Sequence, residues 1–356
     1  MDRAWITVVA VVAVVAVGAC GDGADVPADR QWAQTGTMVQ ARLEHSSTVL
    51  AGDRVLVAGG RDGVDVFSPL ASAELFSPGD GPDGSWAALP SMQIARTDHT
   101  AATVPDGVAV IGGGTAAVEL YSVSSGEWSG GSPMSVARSG HATARLDDGR
   151  ILVAGGEDPD SALASAEIYD PIADAWSPAA PMSVSRADAV AVLLDDGRVL
   201  VVGDPGAEIY DADADRWSAT APIPASPTAG HAVGRLGDGR VAVAGGQDGA
   251  AHLASLSIYD PDTDSWDQLA LSQARAFASV ETDSDGGVLV VGGCDPCHSF
   301  PFVERFDGTV ITIAPVMTRA RCAHASAVLS DGRIVATGGV HAAGEPLATA
   351  EILGPR

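Results

Sequence analysis

Basic and aromatic side chains are both scarce in this 356-residue chain. Lys and Arg together number 20 against 46 Asp and Glu, leaving a net charge of −26. Nucleic-acid binding needs a cationic surface against phosphate, and charge-driven adhesion to anionic lipid needs the same. Neither is expected. Aromatics make up 5% of residues and include 4 Tyr, which limits the groups available for stacking or radical chemistry. No Gly-rich phosphate loop, nucleophile elbow or His-Glu-x-x-His appears. Helix signals are weak too: Gly 42 and Pro 21 point to turns. Most Asp residues stand in turn sequences such as Asp-Asp-Gly-Arg and Asp-Pro, so the acidity reads mainly as turn chemistry on a solvated surface.

What the chain does have is a repeat. Residues 134–176 hold one complete unit: Met134, Arg138, His141, the turn Asp147 to Arg150, the apolar run Ile151 to Ala154, Gly155-Gly156, Glu167 and Tyr169, and Trp176. Gly-Gly recurs at 59–60, 112–113, 155–156, 245–246, 292–293 and 338–339, with Val202-Gly203 in the vacant place. Seven units spaced 43 to 53 residues apart, each with four strand candidates, predict a propeller. The first strand is expected to run from the Arg through the His. The second is continuously apolar, which means burial on both faces. The third carries Glu and an aromatic, and the fourth carries Trp86, Trp128, Trp176, Trp217 or Trp266. In unit six Val310-Ile311-Thr312-Ile313 takes the Trp strand's place. The last unit ends at Arg356 without a fourth strand. Trp32, six residues before Met38, supplies it, so the two chain ends should pair and close the ring, removing open sheet edges.

The diglycine, the Tyr and the Trp about seven residues later resemble the kelch repeat. The resemblance covers residues 32–356 and implies an all-β, seven-bladed kelch-type propeller of four-stranded blades. Galactose oxidase has such a propeller, and its copper radical chemistry relies on Tyr and His ligands with a Tyr–Cys crosslink. Here Tyr121, Tyr169, Tyr210 and Tyr259 all occupy the repeated third-strand position. The resemblance therefore extends to the fold and not to that active site, and no cofactor is expected.

The N-terminus reads separately. Ala4 to Ala19 is an apolar segment after Arg3, too short for a bilayer span of about 20 residues but long enough for a secretory signal. It ends in Val17-Gly18-Ala19-Cys20, which resembles the lipobox of bacterial lipoproteins. That resemblance implies cleavage of residues 1–19 and lipid on Cys20, followed by a flexible tether over 20–31 and the propeller over 32–356. The implied location is the bacterial cell envelope, lipid-anchored in the outer membrane.

Three sets of side chains are candidates for chemistry. Arg42, Arg96, Arg138, Arg186, Arg275 and Arg321 recur on one face, with Thr228 in blade five. They are either a cationic ligand face at the channel mouth or a structural tie to the recurring Glu. His45, His99, His141, His231 and His324 recur three residues later and look structural. Cys294, Cys297, His298, Cys322 and His341 break the repeat pattern in blades six and seven. In an oxidising compartment the three Cys imply one disulfide, Cys294–Cys297 or one of these with Cys322, and one thiol left over. The alternative is a thiolate and imidazole metal site. Asp211, Asp213 and Asp215, like Asp260, Asp262 and Asp264, have calcium-loop spacing, but Arg216 and Ser265 stand where that loop needs Gly. The expectation is a monomeric, non-catalytic binding scaffold recognising a protein or glycan through the loops of one face. The alternative is a metal-dependent or redox protein using the Cys/His cluster.

Overall fold

A computed structural model describes residues 31–63, 68–341 and 344–354. Within them seven four-stranded antiparallel sheets are arranged as the blades of a β-propeller, and no helix is present. Blade three is typical, with strands Ala142–Arg145, Ile151–Ala154, Ala166–Asp170 and Ala175–Ala179 in sheet order. The first strands of neighbouring blades touch one another in a ring around the axis.

The second strands explain their own composition. Side chains alternate across a strand, and each face here meets another blade. Ile151 and Val153 pack against Ala109 and Ile111 of blade two, while Leu152 and Ala154 pack against Val199 and Val201 of blade four. Both parities are buried, so the run is continuous rather than alternating. Fully burying such a side chain contributes about 1.5–3 kcal/mol.

Blade seven closes the ring as the repeat count predicts. Its order is Ala325–Val328, Ile334–Thr337, Thr349–Leu353 and then Trp32–Thr37 from the other end of the chain. Trp32 pairs with Leu353 and Thr35 with Ala350. The N-terminal strand leads directly into the Arg42 loop, so Trp32 lies at the opposite face from the Arg loops.

One boundary differs from expectation. The first strands begin at or just after the His, as in Ser46–Val49, and the Arg lies in the entering loop. Two residues after the Arg position the backbone turns left-handed in every blade, with φ between 45° and 63° at Glu44, Asp98, Gly140, Asp188, Gly230, Phe277 and Ala323. A strand cannot pass through that conformation.

Outer strands are clipped to the preceding blade. Trp176 donates its indole N–H to the Ser132 carbonyl at 2.8 Å. Asp174 accepts from the Ser132 amide at 2.8 Å and from the Tyr169 hydroxyl at 2.7 Å. Tyr210, Asp215 and Trp217 repeat this on Ala180, and Tyr259, Asp264 and Trp266 repeat it on Ala221. The calcium-like Asp spacing is thereby explained. Asp211 and Asp260 accept from amides of their own turns, and Asp215 and Asp264 hold the clip.

Candidate functional site

The six repeated arginines are not a ligand face. All are buried, at 0–2% exposure, and each pairs with the third-strand Glu of its own blade at 2.5–3.0 Å. Arg138 also donates to the Gly155 carbonyl at 2.7 Å and the Ser165 carbonyl at 3.1 Å. Its partner Glu167 accepts from the Ser135 amide at 2.8 Å. The pair thus ties the entering loop, the diglycine loop and the third strand together. Burial lowers the pKa of Arg42, Arg96, Arg138, Arg275 and Arg321, and the paired Glu opposes that shift. Blade five carries Thr228 and Ser257 at these two positions. Both partners are absent together, as expected where either buried charge alone would be costly.

The same junction explains Val202. In six blades the amide of the second Gly bonds to the carbonyl of the next blade's Arg, as Gly60 to Arg96 at 2.9 Å and Gly156 to Arg186 at 2.7 Å. Between blades four and five Gly203 instead bonds to Gly206 at 3.0 Å. The first Gly of the pair, which Val202 replaces, lies against the same carbonyl, since a Cβ there would come within 2.2–2.8 Å of the Arg oxygen in the other six blades.

The repeated histidines serve the neighbouring junction. His99 Nε2 lies 3.0 Å from Ser46 Oγ, His141 Nε2 2.7 Å from Thr100 Oγ1, and His45 Nε2 2.8 Å from Thr337 Oγ1, each reaching across to the preceding blade. Burial first, and the nearby arginines second, hold His99, His141 and His324 at about 3, so these rings stay neutral at pH 7.

Of the Cys/His cluster, the structure joins Cys294 to Cys322 by a disulfide across blades six and seven, with Cα atoms 5.3 Å apart. Cys297 is a free, exposed thiol. His298 points outward, its Nδ1 3.3 Å from Asp295 Oδ1. His341 sits in a turn of blade seven whose backbone bonds to Gly344 and Glu345. Among the described residues no group of three or more His, Cys, Asp or Glu is placed to hold a metal ion. Two of the three thiols are committed to the bridge and cannot act as thiolate ligands while it is intact.

What the repeat pattern did not reveal is the axial ring. The left-handed residues are linked from blade to blade: Glu44 N–H donates to the Ala323 carbonyl at 3.0 Å, Ala323 to Phe277 at 3.0 Å, Phe277 to Gly230 at 2.7 Å, and Gly140 to Asp98 at 3.0 Å. They surround the channel mouth on the face of the Arg loops. One arc is acidic, with Glu44, Asp98 and Asp188, and with Glu157 close by. Arg61 pairs with Glu44. Asp98 has exposed surface, yet its carboxyl titrates at about 6, lifted first by desolvation in the crowded mouth and then by Glu44 and Asp188. The opposite arc is Gly230, Phe277 and Ala323. Phe277 stays 38% exposed, its ring lying against Gly230. Outward from Phe277, a shallow cleft of about 560 Å³ in blade six is lined by Gln273, Asp295, His298, Phe300 and Phe302. Gly140, Gly230, Asp98 and Asp188 were the readable trace of the ring, since Gly and Asp tolerate this backbone better than other residues.

Comparison with known proteins agrees with the architecture. A family model described as Kelch motif matches residues 138–183 and 230–270. A solved fungal alcohol oxidase of the AA5 family, in complex with copper, is similar with a TM-score of 0.72 and 19% identity, over 92% of this chain and 76% of that one. No curated protein matches. In all, 853 chains of solved structures match, so the fold by itself assigns no activity. The residues here do not fit the oxidase's copper. Tyr169, Tyr210 and Tyr259 donate their hydroxyls to the inter-blade Asp, and the repeated His rings are buried against neighbouring hydroxyls.

Proposed function

We propose that this kelch-type propeller is a binding scaffold of the bacterial cell envelope, anchored in the outer membrane by lipid on Cys20, that holds a protein ligand against its channel mouth. Residues 1–30, including Cys20, lie outside the described part of the chain, and the anchor rests on their sequence. The orientation supports the proposal: the chain enters at Trp32 on the opposite face, so a tether there leaves the mouth facing away from the membrane.

Phe277 is the observation that carries the binding role. An aromatic residue in the left-handed region costs about 1–3 kcal/mol, and such strain gathers at functional sites. Here the strain holds a large apolar ring half in solvent at the axis, where other blades place Glu, Asp, Gly or Ala. Exposed aromatics of this kind are typical binding hot spots. The acidic arc across the mouth from it favours a protein segment bearing Lys or Arg over a neutral glycan. A catalytic role has less support, because the repeat's acids and bases are consumed in pairs between and within blades.

The test titrates the full chain with a fluorescent peptide of alternating Lys and Leu. Saturable binding should weaken about tenfold in Phe277→Ser and in 0.5 M salt. Equal binding by the variant would refute the reading. Salt-independent binding of a neutral oligosaccharide, lost in the variant, would assign the face to glycans instead.

A further inference from the structure

The junction of blades six and seven is irregular around three sulfurs, and their placement suggests chemistry that the binding role does not use. Cys294 follows Gly293 in the loop after the second strand of blade six, whereas Cys322 opens blade seven. Cys294 is hydrogen-bonded in both directions to Ala276 at 2.9 Å, and Cys322 to Val340 at 3.1 and 2.8 Å. Each half of the bridge is therefore held in its own blade's loops, and the two loops are also joined by Gly293 N–H on the Arg321 carbonyl at 2.9 Å and Ser299 Oγ on the Val340 carbonyl at 3.1 Å. Between Cys294 and its backbone partner Ser299 the chain makes a tight turn, closed by the Asp295 amide on the His298 carbonyl at 2.9 Å. The Asp295 carboxylate caps the turn by accepting from the amides of Cys297 and His298, both at 2.7 Å. The backbone of Cys297 is thus held at the tip of the turn that has Cys294 at its base, with its thiol exposed. Cys294 is half-buried, and Cys322 is 4% exposed.

We propose that Cys294, Cys297 and Cys322 form a thiol–disulfide exchange unit. The Cys297 thiolate attacks Cys294 Sγ. The Cys294–Cys322 bond breaks, a Cys294–Cys297 bond forms within one loop, and the electron pair leaves on Cys322 Sγ. That sulfur takes up from water the proton that Cys297 released. No oxidant or reductant is consumed, because one disulfide and one thiol are present before and after. Exchange of this kind needs a thiolate within reach of one sulfur of the bond. The consequence is loss of the covalent tie between blades six and seven beside Phe277 and the cleft, with the released thiol shielded inside the protein and the blades still joined by the Gly293–Arg321 and Ser299–Val340 hydrogen bonds. In an oxidising compartment the same unit can pass its disulfide to an external dithiol through Cys297, the exposed sulfur, the dithiol being oxidised as Cys294 and Cys297 are reduced.

Tryptic digestion separates residues 276–305, which hold Cys294 and Cys297, from residues 322–333, which hold Cys322. The full chain is held oxidant-free at pH 7 and at pH 8.5. It is then quenched in acid, alkylated under denaturing conditions at low pH, and mapped without reduction. The expected result is a cross-linked peptide pair at pH 7. At pH 8.5 a second population should accumulate, with both cysteines of 276–305 joined and Cys322 alkylated, in a proportion independent of protein concentration. Cys297→Ser should abolish that population completely while retaining the cross-link. Cys322→Ser should leave residues 276–305 internally bridged after mild oxidation. The proposal fails if Cys297 is the alkylated residue at every pH and time, or if the Cys322→Ser chain keeps Cys294 and Cys297 as two free thiols.

Discussion

Replacing Arg138 by Thr should cost far more than making the same change together with Glu167→Ser. The single variant leaves the Glu167 carboxylate buried, keeping only its bond from the Ser135 amide, and strips the Arg donor from the Gly155 and Ser165 carbonyls, of which Ser165 keeps the Gly155 amide. Breaking a buried pair by removing one partner costs about 3–5 kcal/mol. The unfolding entropy of globular proteins is about 2.1 cal/mol/K per residue, so the roughly 320 described residues give about 0.7 kcal/mol/K. A loss of about 4 kcal/mol then lowers Tm by about 6 °C. The double variant reproduces the pair that blade five already carries at Thr228 and Ser257, and removes both charges at once. It should recover at least about 2 kcal/mol relative to the sum of the two single changes, which is the coupling expected of contacting residues. Differential scanning calorimetry of the four proteins measures this directly. Additive losses, or a shift below about 1 °C for Arg138→Thr alone, would show that the pair is not what holds the loops to the third strand.

Gly112→Ala should destabilise by about 2–4 kcal/mol. Its φ is +73°, and a new Cβ would lie 2.5 Å from His141 Cε1 and 2.7 Å from the Arg138 carbonyl oxygen. Gly52→Ala, with φ +76° and open space, should cost only about 1 kcal/mol, and urea melts distinguish the two. Cys294→Ser removes a link spanning 28 residues and should lower stability by about 3–4 kcal/mol, read as a Tm shift against wild type under non-reducing conditions. Glu281 lies in the innermost strand of blade six and accepts from the Ser326 hydroxyl. Burial raises its carboxyl from 4.5 to about 7 against that hydrogen bond. The stability contributed by Glu281 itself should therefore be greatest below pH 4.5, fall as pH rises to about 7 and stay level above it, opposite in sign to that of the buried neutral histidines in the same range. The drop is at most about 3 kcal/mol, and less where channel water screens the group. In denaturant titrations Glu281→Gln should gain stability relative to wild type on going from pH 4.5 to pH 8, and an equal difference between the two proteins at both pH values would refute the assignment.

Much of the fold was readable because its signals are local. Ile151 to Ala154 must be covered on both faces, and a final unit lacking its Trp strand finds one at Trp32. The arginines were harder. Arg138 and its partner Glu167 are 29 residues apart, and one cation per blade suits a charged rim as well as a buried tie. The joint replacement by Thr228 and Ser257 favoured the tie, but only once both positions were known to touch. The axial ring was masked because Glu44, Phe277 and Ala323 are poor markers of a left-handed backbone, beside the more telling Gly140 and Gly230. The disulfide could not be assigned by spacing, since Cys297 is nearer to Cys294 along the chain. The loop register that sets Cys294 beside Cys322 is a property of two blades packed together.

The strand that closes the ring also decides how the molecule bears force. Trp32–Thr37 runs from the face opposite the channel mouth toward the Arg loops, and its ladder to Thr349–Leu353 lies along that direction. A pull on the chain before Trp32, opposed by a load on the mouth, acts along the strand axis. The ladder bonds are then strained together in shear and do not open one after another like a zipper. Strand Thr349–Leu353 lies between the N-terminal strand and the rest of its blade, so that load passes into the ring through the described strand farthest from it in sequence.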